Sequence, residues 1–364
     1  MKIGIVGCGL MGRRRASVIR QSQGDEIVIV ADIDESRARG LAEEMDCWET
    51  KDWREAVVRD DVEAVVVSTT NKFLMPVTVA ALENGKHVLC EKPLGRNLKE
   101  ARRMVEAAKR AGVFLKTGFN HRHHPAIWKA HELCTQGLIG PVMFIRAVYG
   151  HGGRPGYDKE WRASPDLAGG GELLDQGIHI VDLFRWFMGD FTEVFGSIAT
   201  YFWDLGYFRE EREKREVAFN RQLEDNAFIL LRTADGRIAQ GHTSWTQWKN
   251  RFSFEVFGRD GHLCVDGLGG SYGVERLIWG KRRPDSGPPI EECFEFDEPD
   301  RSWESEWSEF VTAIKEGREP LANGRDGLQA MRLINALYES SRSGHTVQLN
   351  KTLPQREFLF STFR

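Results

Sequence analysis

Gly7-Cys-Gly9-Leu-Met-Gly12 follows a short apolar run, Ile3–Val6, and opens a segment of helical character that begins at Met11. A GxGxxG loop between a strand and a helix is suited to a dinucleotide pyrophosphate. Gly7 permits the tight turn, Gly9 lets backbone approach the phosphates, and Gly12 lets helix and strand pack closely. Leu10 and Met11 stand at the helix start, where free N–H groups and a partial positive charge meet an anion. Asp32 closes the second apolar run, Ile27–Ala31. An acid there hydrogen-bonds the adenosine ribose and repels a 2′-phosphate, so NAD is expected in preference to NADP. Asp34 competes for that role, and Arg37 softens the discrimination. Arg13-Arg-Arg15 opposes the helix macrodipole and is expected to face solvent.

Three further segments concentrate ionisable groups. Glu91-Lys92-Pro93 follows the strand-like His87–Cys90. Asn120-His-Arg122-His-His124 follows Val113–Thr117. Gly169-Gly-Gly171 leads into Glu172–Met188, which carries Asp175 and His179 four residues apart, on one helix face. His121, His123 and His124 are too close in sequence to converge on one ion, and no spaced acid or cysteine joins them, so no metal is expected. The six cysteines form no CxxC pair and read as reduced, mostly buried side chains.

These groups need rigid supports. Up to about residue 124, continuous apolar strands alternate with helices of about ten residues, the pattern of a doubly wound parallel sheet. Residues 125–364 change texture. The helix Pro125–Thr135 leads to a strand-like run, Val142–Tyr149. Later runs alternate in the strand manner (Ala227–Arg232, Arg237–Trp245, Arg251–Phe257, His262–Val265), with Asp235-Gly236 and Asp260-Gly261 as turn signals. A large, mostly antiparallel open sheet in an α+β domain is expected, with helices at Ser302–Lys315 and Arg325–Arg342 and a C-terminal helix able to return to the first domain. Pro76–Glu83 reads as a helix, Arg209–Glu216 as a solvated charge run, and Gly267–Pro289 has no assignment. Trp245 and Trp248 read as core.

Composition narrows the function class. The 364 residues carry a net charge of −4, so no basic excess points to nucleic acid or an anionic membrane. No apolar stretch approaches bilayer-spanning length, and Ile3–Val6 is too short for a signal-peptide core, so a cytoplasmic protein is expected. With 21 Phe, 11 Trp and 6 Tyr, disorder is excluded.

In order and spacing the glycine loop, Glu91-Lys92-Pro93-Leu94, Gly118-Phe-Asn120-His-Arg122-His-His-Pro125 and Gly169-Gly-Gly-Glu-Leu-Leu-Asp175-Gln-Gly-Ile-His179-Ile-Val-Asp182 resemble the Gfo/Idh/MocA family of sugar and cyclitol dehydrogenases. The resemblance spans nearly the whole chain. It implies a Rossmann domain at 1–124, a substrate and oligomerisation domain at 125–364, and a homodimer or homotetramer formed through the second sheet. It also implies that Lys92, Asp175 and His179 are catalytic and that NAD oxidises a secondary ring hydroxyl of a carbohydrate or cyclitol. Asp175 would orient His179 or raise its basicity. Which of Lys92 and His179 takes the proton stays open. Glu91 supports the loop and borders the cofactor. Many relatives carry an Asn-x-x-His loop after the third strand. Here Asn71 is followed by Lys72, Phe73 and Leu74, so cofactor contacts fall to Thr69 and Asn71, and a histidine role there is lost.

Asn120 and Arg122 are expected to line the substrate side of the crevice. Arg154, Tyr157, Trp161 and Arg162 lie in an aromatic, basic, loop-like stretch of the kind that covers sugars. Arg154 and Arg162 hint at an anionic substrate. Two other readings fit the same motifs. One is an NAD-dependent glycosidase working by transient oxidation and elimination. The other is a non-enzymatic sensor of dinucleotide or sugar, against which the presence of both Lys92 and His179 argues.

Overall fold

The computed structural model describes residues 1–152, 160–201, 223–285 and 287–349. Six short strands, β1 (Lys2–Val6), β2 (Glu26–Ala31), β3 (Trp48–Thr50), β4 (Ala64–Val67), β5 (His87–Glu91) and β6 (Leu115–Gly118), form one parallel sheet in the order β3-β2-β1-β4-β5-β6. Every residue of β4, Ala-Val-Val-Val, is buried, as a strand covered on both faces requires. Helices α1 (Leu10–Gln21), α2 (Glu35–Met45), α3 (Trp53–Val58), α4 (Asn71–Glu83) and α5 (Leu98–Ala111) connect them. The chain reverses direction across the sheet between β1 and β4, and ligands bind in the crevice at such a switch point. Asp34 caps α2, accepting from the Ser36 and Arg37 N–H groups. The helix expected at Pro76–Glu83 starts earlier, at Asn71, and takes Pro76 into its interior. β3 and α3 were without a sequence signal because, at three and six residues, they are too short to show a period.

The second sheet has nine strands, ordered β14-β13-β12-β11-β7-β10-β9-β8-β15. They are β7 (Val142–Gly150), β8 (Phe191–Ala199), β9 (Asn226–Thr233), β10 (Ile238–Ser244), β11 (Arg251–Gly258), β12 (Gly261–Asp266), β13 (Glu275–Lys281), β14 (Ile290–Phe296) and β15 (Val347–Gln348). All neighbours are antiparallel except β7 and β10. β9 shows the period-two logic: Ala227, Ile229 and Leu231 are buried, while Phe228, Leu230 and Arg232 face outward. Four strands of this sheet lie outside the strand runs expected from the sequence: β8, β15, β13 inside the Gly/Pro-rich connection Gly267–Pro289, and the glutamate-rich β14. In β13 the alternation is real but masked by charge, because Leu277 and Trp279 are buried with Glu275 on the same face. Trp245 is core, but Trp248 is 64% exposed at a positive-φ turn (φ 55°), which corrects its expected burial. The charge run Arg209–Glu216 lies outside the described residues.

Near the C-terminus the chain returns to the first sheet. Trp303, Trp307, Phe310 and Val311, on the helix Ser302–Glu316, share one apolar cluster with Ile3, Ile5, Ile19, Leu41 and Leu89. Here one sequence expectation fails. Of Arg13-Arg-Arg15, Arg13 and Arg14 are surface residues, but Arg15 is 1% exposed. It falls on the inner stripe of α1 with Gly12, Ala16 and Ile19. Its guanidinium pairs with Glu306 at 2.5 Å and Glu91 at 2.7 Å and lies over the Trp303 ring at 4.3 Å. A buried cation persists when carboxylates surround it. Among the described residues no helix is long and apolar enough to cross a membrane.

Helices α6 (Pro125–Thr135) and α8 (Ile178–Met188) hold a half-buried histidine, His131, and a buried one, His179, in uncharged form. His131 stacks on Trp186 at 3.8 Å, and burial pushes its pKa down to about 4. An unfolded chain takes up that proton near pH 6.5, so below this pH the unfolded state binds more protons than the folded one. The stabilisation is complete above about pH 6.5 and declines as pH falls toward about 4. The thermal midpoint is expected to drop across that window, and His131→Phe is expected to flatten part of the slope in scanning calorimetry.

Candidate functional site

A cavity of about 920 Å³ opens at the switch point and continues between the two sheets. At one end are Gly7, Gly9, Leu10 and Met11, followed by Asp32, Thr69 and Asn71. Gly7 holds φ at 98°, and a Cβ there would lie 2.5 Å from the Ser68 carbonyl oxygen. Around Gly9 the space is open, as close approach of a phosphate demands. Gly12 does not line the cavity. Its place is beneath the loop, where a Cβ would collide with the Gly7 carbonyl. The Asp32 carboxylate accepts from the Cys8 N–H at 2.7 Å and from the Asp34 N–H at 2.9 Å. Each oxygen keeps a lone pair for a ribose hydroxyl. Asp34 is committed to capping α2 and to Arg37, at 3.2 Å, so of the two acids Asp32 is the one that offers its carboxylate to the cavity. Asn71 donates to the Ala168 carbonyl at 2.8 Å, joining the start of α4 to the short helix α7 (Pro165–Ala168). These groups fit a dinucleotide: a positive helix start, an open glycine and an acid at the far end.

Glu91, Lys92, Asp175 and His179 converge at the other end. Lys92 extends from the turn after β5 and donates to the Asp175 carboxylate at 2.8 Å and the Asp175 carbonyl at 2.6 Å. Asp175 sits on a π-helical turn, Leu173–Gly177, just before α8. Such turns insert a residue into a helix and re-aim its side chains. The other carboxylate oxygen of Asp175 faces Arg162 at 3.4 Å. Burial alone would raise this carboxyl, but Lys92 and Arg162 hold it well below the usual range. The expected Asp175–His179 couple is therefore corrected: no hydrogen bond joins them among the described residues. His179 instead lies flat against His121, with ring centroids 3.9 Å apart. Burial, then Lys92 and His124, push its pKa well below the ordinary histidine value, so the ring is neutral at pH 7.

The remaining expectations divide. Asn120 lines the cavity and donates to Ser302 Oγ at 3.1 Å. Trp161 and Arg162 line it too, the guanidinium 4.6 Å over its own neighbour's indole and paired with Glu160. Arg154 and Tyr157 lie outside the described residues. Arg122 is corrected outright. It is 2% exposed, absent from the cavity wall, and forked onto Asp182 at 2.6 and 2.8 Å with Asp326 at 3.0 Å. This bidentate pair fastens the turn after β6 to α8. Glu91 lines the cavity and accepts from Arg15. Among the cavity residues without a site role in the sequence reading are His121, Tyr149 and Tyr272. Tyr149 ends a legible strand, but Tyr272 sits in a glycine-rich turn without any signal.

A family model described as an oxidoreductase family with an NAD-binding Rossmann fold matches residues 1–119, and a GFO/IDH/MocA C-terminal domain model matches residues 127–264. The chain belongs to the Gfo/Idh/MocA family. Its first domain is an NAD-binding Rossmann domain, and the protein is an oxidoreductase. Family relatives include 1,5-anhydro-D-fructose reductase of Ensifer adhaerens, 29% identical over 96% of this chain and 99% of that protein. Myo-inositol 2-dehydrogenase of Thermotoga maritima is 28% identical over 97% of this chain and 100% of its own length. The fold matches that of levoglucosan dehydrogenase in complex with NADH, with a TM-score of 0.86 at 22% identity over 97% of this chain and 100% of the other.

The Asp32 geometry carries a test that needs no substrate. Losing charge-assisted hydrogen bonds to the ribose weakens binding roughly 10-fold or more. Asp32→Ser is expected to lower NADH affinity by that factor while leaving NADPH affinity unchanged or improved, as measured by titration of the reduced cofactors' fluorescence.

Proposed function

We propose that the protein oxidises a secondary ring hydroxyl of a sugar, anhydrosugar or cyclitol to a ketone, reversibly, with NAD. The single observation that carries this reading is the Lys92–Asp175 pair, 2.8 Å, on the wall of the same cavity as the glycine loop and beside a neutral His179. The reactions in the names of the anhydrofructose reductase and the inositol dehydrogenase are consistent with it.

Bound NAD supplies the acceptor for the carbinol hydride. The chain's own residues do the rest. Lys92, ion-paired and turned toward the cavity, places positive charge where alkoxide character develops. Asp175 fixes that ammonium through two acceptors. His179 takes the hydroxyl proton, because it is neutral while Lys92 is engaged with a carboxylate. Its Nδ1 is buried, which leaves Nε2 to the cavity. Arg162 does not support the expected anionic substrate. Its charge is met by Asp175 and Glu160, so an uncharged polyol suits the site.

Incubating the enzyme with NAD and a panel of sugars, anhydrosugars and inositols is expected to produce NADH absorbance with at least one of them. Lys92→Ala and His179→Ala are each expected to lower kcat on the order of 10²–10⁴-fold. Full turnover by both variants would overturn the site.

A second copy of the chain fits the outer face of the second sheet. Phe195, Phe228 and Leu230 are 40–43% exposed there, and Leu230 pairs across the sheet with Phe195. Contiguous exposed apolar side chains of this kind mark interfaces. Six unpaired thiols suit the reducing cytoplasm in which such an oligomer would work. Sedimentation velocity is expected to give a dimer or tetramer, and Leu230→Arg to shift it toward monomer.

A further inference from the structure

We infer that His121 is a positioning residue for His179: laid flat against that imidazole, it sets the plane in which the ring meets a substrate hydroxyl and keeps water from its inner face. The inference rests on the role proposed above for His179. A histidine that moves protons is ordinarily oriented by a hydrogen bond on its second nitrogen. Among the described residues His179 has no such bond. Its Nδ1 is buried with no hydrogen-bond partner, and Asp175, one turn away, is engaged by Lys92 and Arg162.

Packing holds the ring instead. His121 covers it at 3.9 Å with the planes only 28° apart, while Phe119 and Tyr149 meet it edge-on at 6.0 and 6.3 Å. His121 is itself anchored. Its Nδ1 faces Asn120 Oδ1 at 3.3 Å, and Asn120 donates to Ser302 Oγ on the helix that returns to the first sheet. Tyr149, Phe252 and His124 close around its remaining sides, and His124 is fixed by Glu275 at 3.0 Å. Orientation thus reaches His179 from two rigid elements through ring faces.

The charges agree with this geometry. The ionisable groups around the His179 ring are Lys92, His121, His124, Tyr149 and, on its own helix, Asp175. Burial, then His179, His124 and Lys92, keep His121 uncharged at neutral pH. When His179 takes a proton, the new imidazolium faces a neutral π surface, not a second cation.

The test compares His121→Ala with His121→Phe in the full-length enzyme. His121→Ala removes the stacking face and admits water. It is expected to lower kcat on the order of 10²-fold, since small misplacements of a reacting group cost about that much, with KM for NAD little changed. The acidic limb of its kcat profile should move to higher pH as His179 becomes hydrated. His121→Phe restores a flat face without nitrogen, and should recover most of kcat and return the acidic limb to its wild-type position. Equal losses in both variants, or wild-type kcat in His121→Ala, would overturn the inference. NMR titration of the His179 ring gives a readout that needs no substrate: its pKa should rise in His121→Ala and stay low in His121→Phe. If no polyol is oxidised by the wild type, the functional reading fails, yet this titration still decides whether His121 shields His179. If His121→Ala does not fold, a His179 ring in His121→Phe that titrates like an exposed histidine overturns the inference, and one that stays uncharged supports it.

Discussion

The contact between Lys92 and Asp175 organises the crevice. It joins the end of a parallel strand to the start of a helix on the other sheet, and it is made twice, through carboxylate and backbone carbonyl. A half-buried ammonium without these acceptors would be expensive, and so would the carboxylate without the ammonium. Each therefore holds the other in place, and together they fix the spacing of the two lobes at the reacting end of the cavity. The π-helical turn under Asp175 makes this reach possible.

The first lobe was legible because its signals are local. β-branched runs, a glycine loop with the right flanks and an acid after β2 each need only a short window of chain. The site's ionisable residues were legible as motifs, but their pairings were not. Four-residue spacing put Asp175 and His179 on one face, yet Asp175 turned to Lys92, 83 positions away in sequence. Arg122 lies in a motif suited to a substrate cleft and is spent on Asp182 and Asp326 inside the protein. His121 looked like one of three unassigned neighbours, because a face-to-face contact between rings has no sequence period. Charge hid β13, whose alternation survives only when the buried Glu275 is counted with the apolar face, and β14, whose three glutamates are all exposed.

The reacting end of the cavity holds several cations and acids, but they are matched. Lys92 and Arg162 share Asp175, Arg162 also meets Glu160, and Arg14 meets Asp300. The histidines at its floor are kept uncharged by their surroundings. The walls therefore offer dipoles and hydrogen-bonding edges with little net field, an environment matched to hydroxyl groups.

Glu306 reaches Arg15 from a helix encoded almost three hundred residues later, and Arg15 in turn grips the glutamate next to Lys92. Ribosomal synthesis thus delivers this cover of the first lobe late. Until Trp303 and Trp307 emerge, part of one side of that sheet stays uncovered and the Arg15 guanidinium has only Glu91, so the nascent Rossmann half cannot reach its final stability before this helix is made. The order of assembly is written into where a single arginine finds its second acid.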